Sequence, residues 1–199
     1  MHIKKVNAVI ILIKIISVNK NPDHGFSKFP SAFINLIEGI GVEGDAHSGK
    51  TVKHIYLAKK NPFNENLRQV HLISMELIDE LNEKGFPISP GDLGENITTA
   101  GIELISLPEN TLIKLGPDAI IKITGLRDPC SQLDKFSKGL SCAVISKDEN
   151  GELIKKCGVM SVVIKSGVVK PGDNVEIIYP EGEYKNLFVF ENFNVKSEN

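Results

Sequence analysis

Tryptophan is absent from the 199 residues, tyrosine occurs three times, and aromatic residues together make up only 6% of the chain. Any core must therefore be aliphatic, and the 41% of hydrophobic residues is ordinary for a globular domain. Cysteine is scarce as well. Cys130, Cys142 and Cys157 form no C-x-x-C pair, which excludes a disulfide framework and a four-cysteine zinc site. The odd number leaves at least one free thiol, which suits a reducing cytoplasm. Excess charge of either sign is also missing. With 23 Lys+Arg against 25 Asp+Glu, the net charge of -2 offers no broad attraction to a polyanion, so nucleic acid is not expected as the main ligand. Any anion site must be local.

No apolar run reaches the ~20 residues that cross a bilayer, so no membrane span is expected. The longest, Val6–Val18, lies behind Lys4 and Lys5 as the core of a signal peptide would, but Lys14 interrupts it and no small-residue cleavage site follows. Its isoleucine and valine content predicts a first β-strand, with a targeting segment as the competing reading. Repeats, low-complexity tracts and linkers are lacking too. Residues 1–180 therefore read as a single domain and 181–199 as a C-terminal extension, partly docked or disordered. Its apolar Leu187, Phe188, Phe190 and Phe193 would pack as a terminal strand or meet a second copy in a homodimer.

What is abundant is short β-rich runs between Gly, Pro, Asn and Asp. Ala8–Val18, Val52–Leu57, Glu103–Leu107, Thr111–Leu115, Ala119–Thr124, Ser141–Ile145, Met160–Ile164 and Asn174–Tyr179 all read as strands. This density predicts a mainly β fold, a barrel or sandwich, with one or two short helices. The clearest helix covers Met75–Lys84, with Ser74 as its cap, Leu77, Ile78 and Leu81 on one face and Gly85 as the stop. Lys170-Pro171-Gly172-Asp173 places Pro and Gly at the centre of a tight turn between strands.

The chemistry centres on Cys130. The apolar run from Ile120 to Thr124 passes through Gly125, Leu126, Arg127, Asp128 and Pro129 to the thiol, and a second helix is expected to follow. Ser131 and Asp134 match an S-x-x-D capping pattern, which would put Cys130 just outside a helix N-terminus. The dipole of that helix and the charge of Arg127 would both favour the thiolate, as a nucleophile, a persulfide carrier or a metal ligand requires. Cys142, in an apolar run, and Cys157, before Gly158, read as packing residues instead. Asp45 and His47 bring a carboxylate beside an imidazole in a glycine-flanked loop, where they would orient a ligand, transfer a proton or only fix the loop. The spacing of Asp45, His47, His54 and Cys130 matches no compact zinc pattern.

Gly125 to Leu133, with Arg127 and then Pro129-Cys130, resembles the cysteine motif of the molybdenum cofactor sulfurase C-terminal (MOSC) family. Three further stretches resemble the same family in the same order: Gly41 to His47, Gly91 to Ile97, and Cys157 to Met160 leading to Gly172-Asp173. The resemblance implies a small stand-alone member with a β-barrel of the pyruvate-kinase type. It implies a molybdenum–molybdopterin cofactor, with Cys130 as molybdenum ligand or as carrier of persulfide sulfur. Arg127 and the family-like Arg68 and Lys28 would neutralise phosphate or oxo groups. Gly94 would open a loop whose backbone N–H groups form an anion nest, with Asn96 bonding a pterin edge or phosphate, or the loop would be only a connecting turn. Cofactor-bearing members reduce N-hydroxylated compounds with electrons from a separate reductase. A carrier that hands the cofactor to a client molybdoenzyme without turnover is the alternative. The pyridoxal-phosphate domain of full sulfurases is missing from these residues, so that cofactor is not expected here.

Overall fold

Alternating aliphatic residues build the long strands, and the placement of glycine and proline decides where they bend. The computed structural model describes residues 12–53, 58–59 and 61–188. In chain order its strands are β1 (Lys14–Lys20), β2 (Phe29–Pro30), β3 (Ile34–Ile37), β4 (Gly41–Val42), β5 (Val70–Ser74), β6 (Ile97–Ala100), β7 (Leu112–Leu115), β8 (Ala119–Leu126), β9 (Ile145–Lys147), β10 (Leu153–Lys155), β11 (Val159–Lys165), β12 (Gly167–Val169) and β13 (Val175–Ile178). Short helices interrupt them, among the described residues α1 (Met75–Glu83), α2 (Gln132–Phe136) and α3 (Leu140–Ala143). None of the described helices is long and apolar enough to cross a membrane.

Eight strands form one sheet in the order β13-β7-β8-β11-β5-β6-β1-β2, beside a small sheet β12-β3-β4 and the hairpin β9–β10. The ladders are antiparallel except β5–β6, which are parallel because α1 carries the chain back between them. In β8 strict alternation turns Ala119, Ile121 and Ile123 inward, where they join Ile15, Val18, Leu72, Ile97, Ile113 and Leu115 in an aliphatic core. Each such buried side chain contributes about 1.5–3 kcal/mol. A second core lies under the helices and joins Leu77, Ile78 and Leu81 of α1 to Leu93, Leu133, Leu140 and Cys157. Ser74 Oγ accepts the amide of Leu77 at 3.4 Å, as a cap should, and Gly85 takes the left-handed stop.

The mainly β expectation holds, but among the described residues the sheet does not close into a barrel. The far edge of β1 is divided: Asn19 and Lys20 pair with β2, while its first residues meet the chain entering β13 through the bridge Lys14–Asn174 and the backbone hydrogen bonds Ile15 N to Asp173 O, Gly172 N to Ile15 O and Val175 N to Ile13 O, too few to make a ladder. Register slips at Ile16, Thr124 and Ile164 bend the sheet without closing it.

Two expected strands are helical instead. Leu104 and Leu107 are both buried, a spacing of three that a 3-10 turn at Leu104–Ser106 satisfies and an alternating strand would not. Leu140 and Val144 are buried four apart, so residues expected in a strand from Ser141 form α3, and only Ile145 opens β9. Asp134 does not cap α2. Its carboxylate accepts the amides of Gly139 at 3.1 Å and Ser141 at 3.0 Å, which fixes the start of α3.

At the N-terminus the expected strand appears as β1, while Ala8 to Ile11 lie outside the described residues. Of Val52–Leu57 the described Val52 and Lys53 lie in no strand, Val52 N donating to Asn64 O at 2.9 Å beside the bridge Thr51–Glu65, and residues 54–57 lie outside the described residues. The Pro171-Gly172 turn joins β12 to β13, with Asp173 N donating to Lys170 O at 3.2 Å. Of the extension, Leu187 packs on the main core and Phe188 O accepts the amide of Leu126 at 2.9 Å; Phe190 and Phe193 lie outside the described residues.

Two glycines with positive φ give a test of packing against backbone strain. A Cβ on Gly158 would lie 2.1 Å from Leu72 O, whereas one on Gly172 would meet nothing within 4 Å. Gly158→Ala is expected to lower unfolding free energy by more than about 3 kcal/mol and Gly172→Ala by only about 1–2 kcal/mol, read from urea midpoints.

Candidate functional site

Strand ends from across the sheet converge on one cleft. The chain leaving β1 supplies Phe26 and Lys28, the loop after β4 supplies His47, and the approach to β5 supplies Asn66 and Arg68. His71 lies within β5, Gly94 and Asn96 precede β6, and Arg127, Asp128 and Cys130 follow or end β8. Cys130, Arg127, Arg68, Lys28, His47, Gly94 and Asn96, singled out along the chain, thus share a wall, and Asp45 lies just behind it.

Asp45 organises that wall. Its side chain is buried, and Oδ2 accepts from Lys28 Nζ, from Asn96 Nδ2 at 3.1 Å and from the amide of Asn21 at 3.2 Å. Oδ1 accepts the amide of His47 at 2.9 Å and faces His47 Nδ1 at 3.3 Å. Burial works against ionisation of Asp45, but the bonds from His47 and the Lys28 ammonium outweigh it and hold the carboxyl well below the usual carboxylate range. Lys28 is itself buried, and desolvation lowers its pKa despite the attraction of Asp45. Asn96 has no spare amide group: Oδ1 accepts the amide of His71 at 3.2 Å, and Nδ2 donates to Asn19 O and Asp45. It ties three segments together.

Four amides of the glycine loop are taken up within the protein. The amide of Gly91 donates to Glu95 Oε1, that of Asp92 to Ser89 O, that of Gly94 to Gly91 O and that of Asn96 to His71 O. What glycine provides is close approach. A Cβ on Gly91 would lie 2.5 Å from Lys28 O, and one on Gly94 would lie 2.4 Å from Phe26 O, so a side chain at either position would push the Lys28 segment outward. Leu93 of the same loop is anchored in the helical core and presents its carbonyl to Arg127, whose NH1 donates at 2.8 Å. The guanidinium also lies over the ring of Phe26, 5.7 Å from its centroid.

His71 is a cleft residue that the strand pattern concealed. Its ring is buried and bonds Cys157 O through Nε2 at 2.8 Å. Burial, reinforced by the charge of Arg127, holds its pKa well below the ordinary value, so the ring is neutral. The available signal was a histidine inside an otherwise apolar run. Asn66 was also missed; its amide donates to His47 O and Gly49 O at 2.9 and 3.0 Å and so fixes the loop that carries His47.

Cys130 is exposed on the cleft wall, and Leu133, three residues on, plugs the helical core and fixes the turn. Cys157 is buried as expected, and burial pushes its thiol up to about 11. Cys142 is not a packing residue: α3 turns it to solvent. Among the described residues no group of three His, Cys, Asp or Glu could hold a metal ion, and His54 lies outside them.

The family model described as the MOSC domain matches residues 47–176, well over half of the chain. The chain belongs to the MOSC family. The matched span of this MOSC protein includes His47, Arg68, His71, Gly94, Asn96, Arg127 and Cys130, while Lys28 and Asp45 precede it. The MOSC chain is similar to the crystal structure of the YuaD protein from Bacillus subtilis, with 26% identity and a TM-score of 0.68 over 83% of this chain and 94% of that one. It shares its fold with YiiM from Geobacillus stearothermophilus, at 19% identity and a TM-score of 0.61 over 87% of this chain and 79% of that one. YiiM from Escherichia coli is also similar, at 16% identity and a TM-score of 0.57 over 88% and 74% of the two chains. No curated protein sequence gives a significant match.

Three measurements check the site. Alkylation of the native protein followed by mass spectrometry should label Cys130 and Cys142 and spare Cys157 until denaturant is added. Asp45→Asn, which strands a buried ammonium, should cost about 3–5 kcal/mol, and Lys28→Met/Asp45→Asn should recover most of the loss. Because the Asp45 pKa is depressed on folding, its contribution is present above the unfolded value of about 4 and is lost as pH falls through the lower folded value. Acid titration of stability should therefore be steeper below about pH 4 for the wild type than for the double variant.

Proposed function

We propose that the cleft binds a molybdenum–molybdopterin cofactor, with Cys130 as the protein's sulfur ligand to the metal. The observation that supports this is one exposed thiol on the wall of a cleft whose other side chains include Lys28, Arg68 and Arg127. The family's association with the molybdenum cofactor points the same way. The donor set fits the group. A thiolate is a soft ligand suited to molybdenum, and guanidinium groups suit phosphate and oxo oxygens. Of the two carboxylates at the wall, Asp45 is tied to Lys28 and Asp128 pairs with Lys155 at 2.6 Å, so neither opposes an anion with an unpaired charge.

When bound, the cofactor supplies two-electron oxygen-removal chemistry, here on N-hydroxylated compounds, with electrons from a separate reductase. The chain's own residues bind and orient. Arg127 is held by Leu93 O and stacked on Phe26, which leaves its other N–H groups directed by a fixed plane. Arg68 follows Asn66, whose Oδ1 accepts the Arg68 amide at 3.1 Å and sets the start of its side chain. Lys28 contributes charge from the wall, where Asp45 holds it, and the neutral His71 contributes none.

Expression in a cofactor-producing host, followed by metal and pterin analysis, tests this reading. Wild-type protein should carry molybdenum and pterin together, and Cys130→Ser should lose nearly all the molybdenum while staying folded. Equal molybdenum in both proteins would refute ligation by Cys130, and cyanide-labile sulfur without molybdenum would identify a persulfide carrier instead. Arg68→Ala should weaken pterin retention by roughly tenfold or more. Turnover of an N-hydroxylated purine on addition of a reductase marks an enzyme; bound cofactor without turnover marks a carrier.

A further inference from the structure

The cofactor reading leaves the Asp45–His47 pair without a chemical task. Oδ1 of Asp45 faces His47 Nδ1, while Oδ2 is pinned by Lys28, Asn96 and the Asn21 amide, so the carboxylate cannot turn away from the ring. An ionised carboxylate only accepts hydrogen bonds. Nδ1 of His47 must therefore carry the proton in the neutral ring, which leaves a lone pair on Nε2. The two members differ in access: the His47 side chain is 33% exposed and lines the cleft, against 2% for that of Asp45. A buried, fixed carboxylate behind a half-exposed imidazole is the arrangement of an oriented acid–base group.

We infer that His47 exchanges protons with the ligand of this cleft through Nε2, with Asp45 as the positioning residue that fixes its tautomer. For the ligand's identity this rests on the cofactor reading; the dyad does not. Release of the hydroxyl of an N-hydroxylated compound as water consumes two electrons and two protons. The electrons come from the reductase. One proton passes from Nε2 of the His47 imidazolium to the departing oxygen, the other comes from solvent, and the neutral ring is reprotonated from solvent. The charged and titratable groups around the ring are Lys28, Lys53, Arg68, Arg127, Asp128 and Cys130 of the cleft and Asp45 behind it, and His24 meets the ring edge-on at 5.4 Å.

Nitrogen-15 NMR of the full chain tests the dyad without any cofactor: neutral His47 should be the Nδ1–H tautomer, and an Nε2–H tautomer overturns the inference. In cofactor-loaded protein, His47→Gln should keep wild-type molybdenum and KM, lower kcat by about 100-fold or more, and remove one limb of the pH profile. Unchanged kcat, or molybdenum loss like that of Cys130→Ser, overturns proton exchange. If wild-type protein carries no molybdenum, the cofactor reading fails by itself and the tautomer still decides the dyad.

Discussion

One buried carboxylate holds the cleft together. Asp45 bonds the chain leaving β1 through Asn21, the next segment through Lys28, the approach to β6 through Asn96 and its own loop through His47. In a low-dielectric interior each of these bonds is strong and each unmade one is costly, so the four segments have a single mutual arrangement. The ion pair with Lys28 is weak evidence for net stability, since desolvating both ions opposes their attraction. Its consequence is specificity of geometry. A glycine loop that approaches the Lys28 backbone too closely for any Cβ locks the same corner from the other side.

The second constraint is the pair of aliphatic plugs under the wall. Leu93 and Leu133 enter one helical core with Leu77, Ile78 and Leu81, so α1 supports both the glycine loop and the turn after Cys130. Arg127 links those two segments directly through Leu93 O. The thiol is left exposed because the residues on either side, not the thiol itself, satisfy the core. Cys157 shows the reverse outcome, a thiol that is itself part of the core and is kept protonated by burial.

These features divide the work of the cleft by depth. Asp45 is buried and paired with Lys28, and Lys28, Arg68, Arg127, His47 and Cys130 line the cleft in front of it. The neutral His71 lies between, bonded to the Cys157 carbonyl, and adds no cation to a wall that already holds several. Such an arrangement suits an anionic ligand that also carries a soft metal, the class of cofactor with which the MOSC family is associated.

The sequence by itself determined the mainly β character, the capped helix α1, the Pro-Gly turn before β13 and the family motifs around Cys130, because each of these depends on local propensity or on residues close together in the chain. It named the residues that share the cleft wall without determining that they meet. Only the tertiary structure decided that Asn96 and the glycine-loop amides are consumed internally, that Asp134 caps α3 and not α2, and that Leu104, Leu107, Leu140 and Val144 pack with helical spacing. It also revealed His71 and Asn66 and, among the described residues, left the sheet short of a closed barrel. For Asn96, His71 and Asn66 the deciding partner lies far away in the chain, which no periodicity or motif records; for Asp134 and the glycine loop it lies within seven residues, but several groups compete there and packing decides which one takes up the donor.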